Sequence, residues 1–463
     1  MLKKDVLSKI LKKAMSTGAD FAEVYEEDVL SNSLSLVKGK IENIVAGRSY
    51  GVGIRLIKGL NCIYAFSNEN STESLLKVAT DVAEALSDYN SKIVNSDIYL
   101  NESLNKNIHP ILFMPSSYAS KNKADIIKRA YSAAYDVSPL ISQVSVYLGD
   151  SDKKILIANS DGLYTEDRRA RVRMGITSIA SENNENQVGS ESPGSLKGYE
   201  YFDEIDVENH GRTASNIALT MLKAKNCPAG IMPVALENAF GGVIFHEACG
   251  HSLESTSVAK GNSVFSGKLG KKIASSKVTA IDDGTIPNAW GSVNIDDEGM
   301  PTQKNILIEN GILKNYMIDK LNGKRMGMKP TGSSRRESYK YAPTSRMTNT
   351  YIAPGNDSKE DIINSINDGL YAKKLGGGSV NTITGEFNFS VMEGYIIKNG
   401  KIDEPVRGAS LIGKGSEVLL NIDMVGDNLA LGQGVCGASS GNIPVNVGQP
   451  LIRVSKITVG GRA

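Results

Sequence analysis

The sequence is poor in the residues that most often carry chemistry. Among 463 residues it has four histidines, four cysteines and one tryptophan. Cys62, Cys227, Cys249 and Cys436 are too few and too widely spaced for a disulfide framework, which fits a reducing, cytoplasmic compartment. Neither sign of charge is in excess: 52 basic and 51 acidic side chains leave +1. That excludes the broad positive field of a typical nucleic-acid binder and gives no attraction to an anionic membrane. No stretch approaches the ~20 apolar residues of a membrane span. Near the start, Val6, Leu7, Ile10, Leu11 and Ala14 repeat with helical period instead of forming an unbroken secretory segment.

What is present is an ordinary globular balance, 40% hydrophobic and 22% charged. The length exceeds one common core, so several domains are expected. The pattern predicts an α+β, multi-domain protein with mixed or antiparallel sheets. Its expected parts are an N-terminal α+β domain over 1–88, a second α/β unit over 110–226 and a β-rich C-terminal domain over 231–463.

In the first part, a helix ending at Gly18 precedes short strands broken at Gly39, Gly47 and Gly59, and an N-x-x-E cap at Asn70 opens a second helix. From Tyr89 to His109 a polar connection is expected. Residues 182–198 read as a flexible loop or lid. Asn310-Gly311 and Asn399-Gly400 each predict a tight hairpin.

Two of the four histidines fall in one run, Gly241-Gly242-Val243-Ile244-Phe245-His246-Glu247-Ala248-Cys249-Gly250-His251-Ser252-Leu253-Glu254. A His-Glu pair followed closely by a second His on a helix is the form of a zinc peptidase site, with imidazoles for the metal and a carboxylate as base. Here the histidines are five apart, where the common motif has four. On a regular helix that places them ~140° apart, which spoils a shared ligand geometry. One residue accommodated in a π-type turn restores it, and Gly250 sits where deformation is easiest. The spacing therefore predicts a distorted turn between His246 and His251.

A catalytic zinc needs a third protein ligand and an open position. Spacing leaves three candidates: Glu254, close to the face of His251; Cys249, between the histidines; and Cys436, in a distant glycine-flanked loop.

Several motifs in one order then carry a resemblance. They are the zinc helix itself, Ile281-Asp282-Asp283-Gly284-Thr285, Asn294-Ile295-Asp296-Asp297-Glu298-Gly299 and Met326-Gly327-Met328-Lys329-Pro330-Thr331-Gly332. Arg335-Arg336-Glu337-Ser338-Tyr339, Arg346-Met347-Thr348-Asn349-Thr350-Tyr351, Gly434-Val435-Cys436-Gly437, Val447-Gly448-Gln449-Pro450 and Thr458-Val459-Gly460-Gly461 follow. In these the chain resembles the TldD/PmbA family, on the side that keeps the zinc motif. The resemblance implies a zinc metallopeptidase with His246, His251 and Cys436 on Zn2+ and Glu247 as base. It implies unstructured peptides or unfolded proteins as substrates. It also implies a homodimer, or a heterodimer with a TldE/PmbA-like paralogue. Two departures stand out: Ser255-Thr256 replaces the family's usual Gly-Asp after Glu254, and Gly437-Ala438-Ser439-Ser440-Gly441 lacks charge. The alternative class is a non-catalytic peptide-binding or regulatory partner whose metal is structural.

Other signals are weaker. Gly408 to Gly415 nearly spells a phosphate loop, but Gly415 stands where a hydroxyl is needed. Gly376-Gly377-Gly378 reads as a turn, and the acidic pairs at 282–283 and 296–298 as turn or cap residues. Arg335 and Arg336 could hold a peptide carboxylate or carbonyl, but the commoner role, a surface carboxylate, is the one expected. Tyr339, Tyr341 and Tyr351 are undistinguished candidates for oxyanion stabilisation. His109 and His210 are read as structural.

Overall fold

A computed structural model describes residues 1–86, 97–381 and 384–461. It is an α+β molecule built on three large sheets. The expected connection from Tyr89 lies partly outside the described residues.

The first sheet, eight-stranded among the described residues, is drawn from both N-terminal stretches. Phe21–Val37 pairs antiparallel with Lys40–Lys58 on one side and with Ile141–Asn159 on the other, and Leu163–Glu182 follows. These strands are longer than their glycines suggest. The expected break at Gly47 does not exist, because Lys40–Lys58 runs through Gly47, Gly51 and Gly53. Two of those glycines are there for packing. A Cβ on Gly51 would lie 2.2 Å from the Tyr339 ring, and one on Gly53 1.8 Å from the Tyr64 hydroxyl. The helices Lys4–Met15 and Thr72–Ala85 cover one end of this sheet, burying Leu7, Ile10, Leu11, Leu75 and Ala79 with Val24 and Ile54. The cap of the second helix is Ser71, one residue after the expected Asn70, and its side chain accepts from the Ser74 N–H. Ser120–Tyr135 and Val207–Lys223 cover the other end.

The expected lid over 182–198 is instead sheet. Asn183 and Asn184, both at positive φ, turn the chain back into Glu185–Glu191, which pairs with Leu163–Glu182. The side-chain amides of asparagine tolerate that conformation, which supplies a hairpin turn without glycine.

The C-terminal half holds the other two sheets around one large core. The six-stranded sheet has the order Ile312–Leu313, Lys304–Glu309, Ala280–Asp283, Asn349–Ile352, Gly441–Gln449, Ala430–Ala438. Both Asn-Gly hairpins form, with Asn310, Gly311, Asn399 and Gly400 at positive φ. Gly376–Gly378 is no turn; it lies inside the irregular strand Asp368–Asn381. No helix among the described residues is long and apolar enough to cross a membrane.

Candidate metal centre

The run from Val243 winds as one helical turn, then widens. Over His246–Gly250 the helix is π-helical, and the His251 N–H donates to the His246 carbonyl, five residues back. The wider turn takes up the extra residue in the His-His spacing. It brings the two rings to a centroid separation of 5.2 Å, nearly perpendicular. The turn is pressed into place by close neighbours. A Cβ on Gly250 would meet Met347 Sδ at 2.3 Å, and one on Gly415 would meet the Ala248 carbonyl at 2.1 Å. The near phosphate loop is thus no loop at its end: Ser410–Lys414 is a strand, and Gly415 packs against the π turn.

Cys436 arrives from the strand Ala430–Ala438, which turns at Ser439 and Ser440 and returns as Gly441–Gln449. Its sulfur lies 3.3 Å from His251 Nε2. One donor atom each from His246, His251 and Cys436 falls within 4.8 Å of the others, and all three residues are buried. Each imidazole has its other nitrogen engaged. His246 Nδ1 is 3.0 Å from Thr350 Oγ1, and His251 Nδ1 is 3.3 Å from Glu254 Oε2. His246 Nε2 is buried with no hydrogen-bond partner among the described residues. An orphaned buried nitrogen beside a thiol and a second imidazole is the environment a metal ion satisfies. Two nitrogens and one sulfur suit a borderline-soft ion such as zinc.

The electrostatics agree. Burial alone would raise the Cys436 thiol, yet the imidazoles, His246 foremost, bring it down to about 4. Burial likewise disfavours charge on His251, but Glu254 and the sulfur hold its pKa well above the ordinary value. Without metal, the imidazoles thus favour the thiolate form of Cys436, and that negative charge in turn favours a cation beside it.

Glu247 has 28% of its side chain exposed, and Oε2 lies 3.7 Å from His251 Nε2, on the ligand side. Glu254 is behind His251, on the opposite nitrogen. Cys249 is fully buried, and burial pushes its thiol up. Of the three candidates for a third ligand, the chain brings Cys436 to the two histidines.

Two residues escaped sequence reasoning although their motif was noted. Thr350 fixes His246. Arg346, with no solvent exposure, donates to the Cys436 carbonyl (2.6 Å), the Ser440 hydroxyl (2.9 Å) and the Gly441 carbonyl (2.9 Å). Its Nε lies 3.9 Å from Glu254 Oε1. One guanidinium thus holds the thiol hairpin to the carboxylate behind His251. The usable signal was the rule that a ligating histidine needs a partner for its second nitrogen.

The remaining expectations divide. Arg335 and Arg336 are buried, not at the surface; Arg336 pairs with Glu23 at 2.6 Å. Glu23 comes from the N-terminal sheet, 313 residues away in sequence, which local composition cannot show, while Arg335 donates to the Met347 carbonyl at 2.7 Å. Asp296 does serve a turn, accepting from the Glu298 and Met300 N–H groups. Tyr339 packs against Gly51 and Phe66, Tyr351 faces Asp283, and the Tyr341 carbonyl accepts from Arg336.

A buried His-His-Cys cluster, two of its donors on a π-helical turn and a glutamate beside them, has the donor set of a metal-dependent peptidase. The comparisons give the family. The chain matches the PmbA/TldA metallopeptidase domain 1 over residues 22–86, the central domain over 114–222 and the C-terminal domain over 229–461. The chain belongs to the PmbA/TldD metallopeptidase family. It is 38% identical over 463 residues to a metalloprotease TldD homolog of Buchnera aphidicola, covering 97% of this chain and 95% of that one. A TldD homolog of Haemophilus influenzae is 37% identical over 454 residues, covering 96% and 93%. A zinc metalloprotease TldD homolog of Saccharolobus solfataricus is 29% identical, covering 98% and 99%. In fold it is similar to the crystal structure of TldE from Thermococcus kodakarensis, with TM-score 0.78, 18% identity and coverage of 98% and 100%.

Proposed function

We propose that the protein is a zinc-dependent peptidase that hydrolyses peptide bonds in unstructured peptides or unfolded proteins. The observation that carries this reading is the convergence of His246, His251 and Cys436 with a partly exposed Glu247 beside them. Zinc held by those three residues would supply the Lewis acidity that polarises a peptide carbonyl and makes water nucleophilic near neutral pH. Glu247 accepts the proton of the attacking water and returns it to the leaving nitrogen. Thr350 and Glu254 hold the second nitrogens of the imidazoles, so that each ring keeps its other nitrogen turned to the cluster.

The strand that carries Cys436 supports an extended substrate. Ala430–Ala438 is the last strand of its sheet. The N–H of Asn446, opposite Gln433, donates to Thr348 on the far side. By the alternation of an antiparallel ladder, Gln433, Val435 and Gly437 then present their own peptide groups to the open edge. Pairing with main chain there is indifferent to sequence, as a protease of unfolded chains requires. The family fold, shared with TldE, supports assembly as a homodimer or with a TldE-like paralogue. The free cysteines suit a reducing cytoplasm, where Cys436 stays reduced.

The test is Glu247→Gln. The variant is expected to bind zinc at wild-type stoichiometry and to lose cleavage of an unfolded protein by about a hundredfold or more. Chelation should abolish the wild-type activity, and zinc should restore it. Wild-type activity in the variant would refute the role of Glu247. Chelator-insensitive cleavage would refute the metal.

A further inference from the structure

The strand Leu163–Glu182 carries Arg169, Arg171 and Arg173 at every second position, hence on one face. The first two are capped by the loop over 290–297. Arg169 reaches Asp297 Oδ1 at 2.8 Å and the Ile295 carbonyl at 2.7 Å. Arg171 donates to the carbonyls of Trp290 (3.0 Å) and Ser292 (2.9 Å). The third is different. The Arg173 guanidinium lies over the Trp290 ring, 5.5 Å from its centroid, and has no hydrogen bond or ion pair among the described residues.

Arg173 opens into a cleft of about 650 Å3 whose other walls include Pro193, Phe240, Gly434 and Val435. The remaining charges of that cleft are paired. Glu191 is shared by Lys374 and His210, Lys373 meets Glu393 at 2.7 Å, and Glu237 meets Lys359. One positive charge is left over, and burial already pulls its pKa down. Its position relative to the metal cluster is set by Trp290. The indole N–H donates to the Gly434 carbonyl at 2.8 Å, two residues before Cys436 on the strand proposed to meet substrate. A half-buried guanidinium with unused donors, held over an indole, is a receptor for a carboxylate, which it can grip with two parallel hydrogen bonds.

We propose that Arg173 binds a carboxylate of the substrate, so that the enzyme selects peptides carrying one a short way along the chain from the cleaved bond. The inference rests on the peptidase reading. The carboxylate is either an acidic side chain or the C-terminus of the peptide.

The chain's single tryptophan makes binding readable without turnover, because Trp290 lies under Arg173. Three peptides of one length are titrated into zinc-loaded Glu247→Gln protein, following tryptophan fluorescence. One has an internal Glu and an amidated end, one a Gln and a free end, and one a Gln and an amidated end. The same peptides are given to the active enzyme. The expected result is that one of the carboxylate peptides binds about tenfold tighter than the neutral one and perturbs the fluorescence. Which of the two does so identifies the source. The preference in kcat/KM for that peptide over the neutral one should collapse towards unity in Arg173→Met and recover in part in Arg173→Lys. Equal binding and cleavage of all three peptides by the wild type would overturn the role of Arg173. So would an unchanged preference in Arg173→Met. Cleavage of none of the three would overturn the peptidase reading itself, and this inference with it.

Discussion

Arg346 shows how much one side chain can settle. It is fully buried, and its donors are divided among groups of the hairpin that carries Cys436, while its charge faces Glu254, the partner of His251. Arg346→Met would leave the Cys436 carbonyl and the Glu254 carboxylate without that cation. Partners one step behind a metal ligand commonly change metal affinity by about 10- to 100-fold. We expect a loss of that size in competition titrations for zinc. With cobalt in place of zinc, the thiolate-to-metal charge-transfer band should weaken. Arg346→Lys should recover little, since one ammonium cannot reproduce a fork of donors. Wild-type affinity and an unchanged band in Arg346→Met would show that the hairpin holds its sulfur in place unaided.

The element that decides the site is the π turn, and its geometry depends on what presses on it. Gly250→Ala would drive a Cβ to 2.3 Å from Met347 Sδ. Overpacking of this kind costs about 1–3 kcal/mol, measured by denaturant unfolding of the zinc-free protein. Met347→Ala should relieve the clash, so the double variant should be more stable than the two single changes sum to. Strict additivity would mean that the turn yields at Gly250 without touching Met347. This element was legible in the sequence because two ligands five positions apart cannot share a face of a regular helix. The Asn-Gly hairpins were legible for a similarly local reason. What local pattern could not show was contact over distance. Gly47 looked like a strand break, yet the strand runs on through it, and the next two glycines, Gly51 and Gly53, are gaps filled by Tyr339 and Tyr64. Arg336 looked like a surface residue because its partner, Glu23, is in another sheet. Cys436 could be joined to the histidines only through the family resemblance, since 185 residues separate it from His251.

At the scale of the whole molecule, the N-terminal sheet and the C-terminal half are joined by buried charge. Glu23 meets both Arg336 (2.6 Å) and Arg55 (2.8 Å), Arg55 meets Glu298, and Arg169 meets Asp297. Removing one member strands the rest, so Glu23→Gln should cost about 3–5 kcal/mol in denaturant unfolding. His109 closes the same junction by a different device. It is 3% exposed, and its Nδ1 accepts the Asn288 N–H at 3.0 Å, which requires that nitrogen to be unprotonated. Burial pushes its pKa down to about 4, from an ordinary 6.5. Between those values the unfolded chain binds a proton that the folded one refuses. The contribution of His109 is therefore fully present above about pH 6.5 and lost as pH falls towards 4. In a His109→Asn variant the side-chain amide oxygen can accept the same N–H but does not titrate. The difference in unfolding free energy, wild type minus variant, should fall by on the order of 2–3 kcal/mol between pH 7 and pH 4. Subtracting the variant removes the carboxylates that titrate in both proteins. A difference that stays level over that range would show that His109 takes up its proton without disturbing the junction.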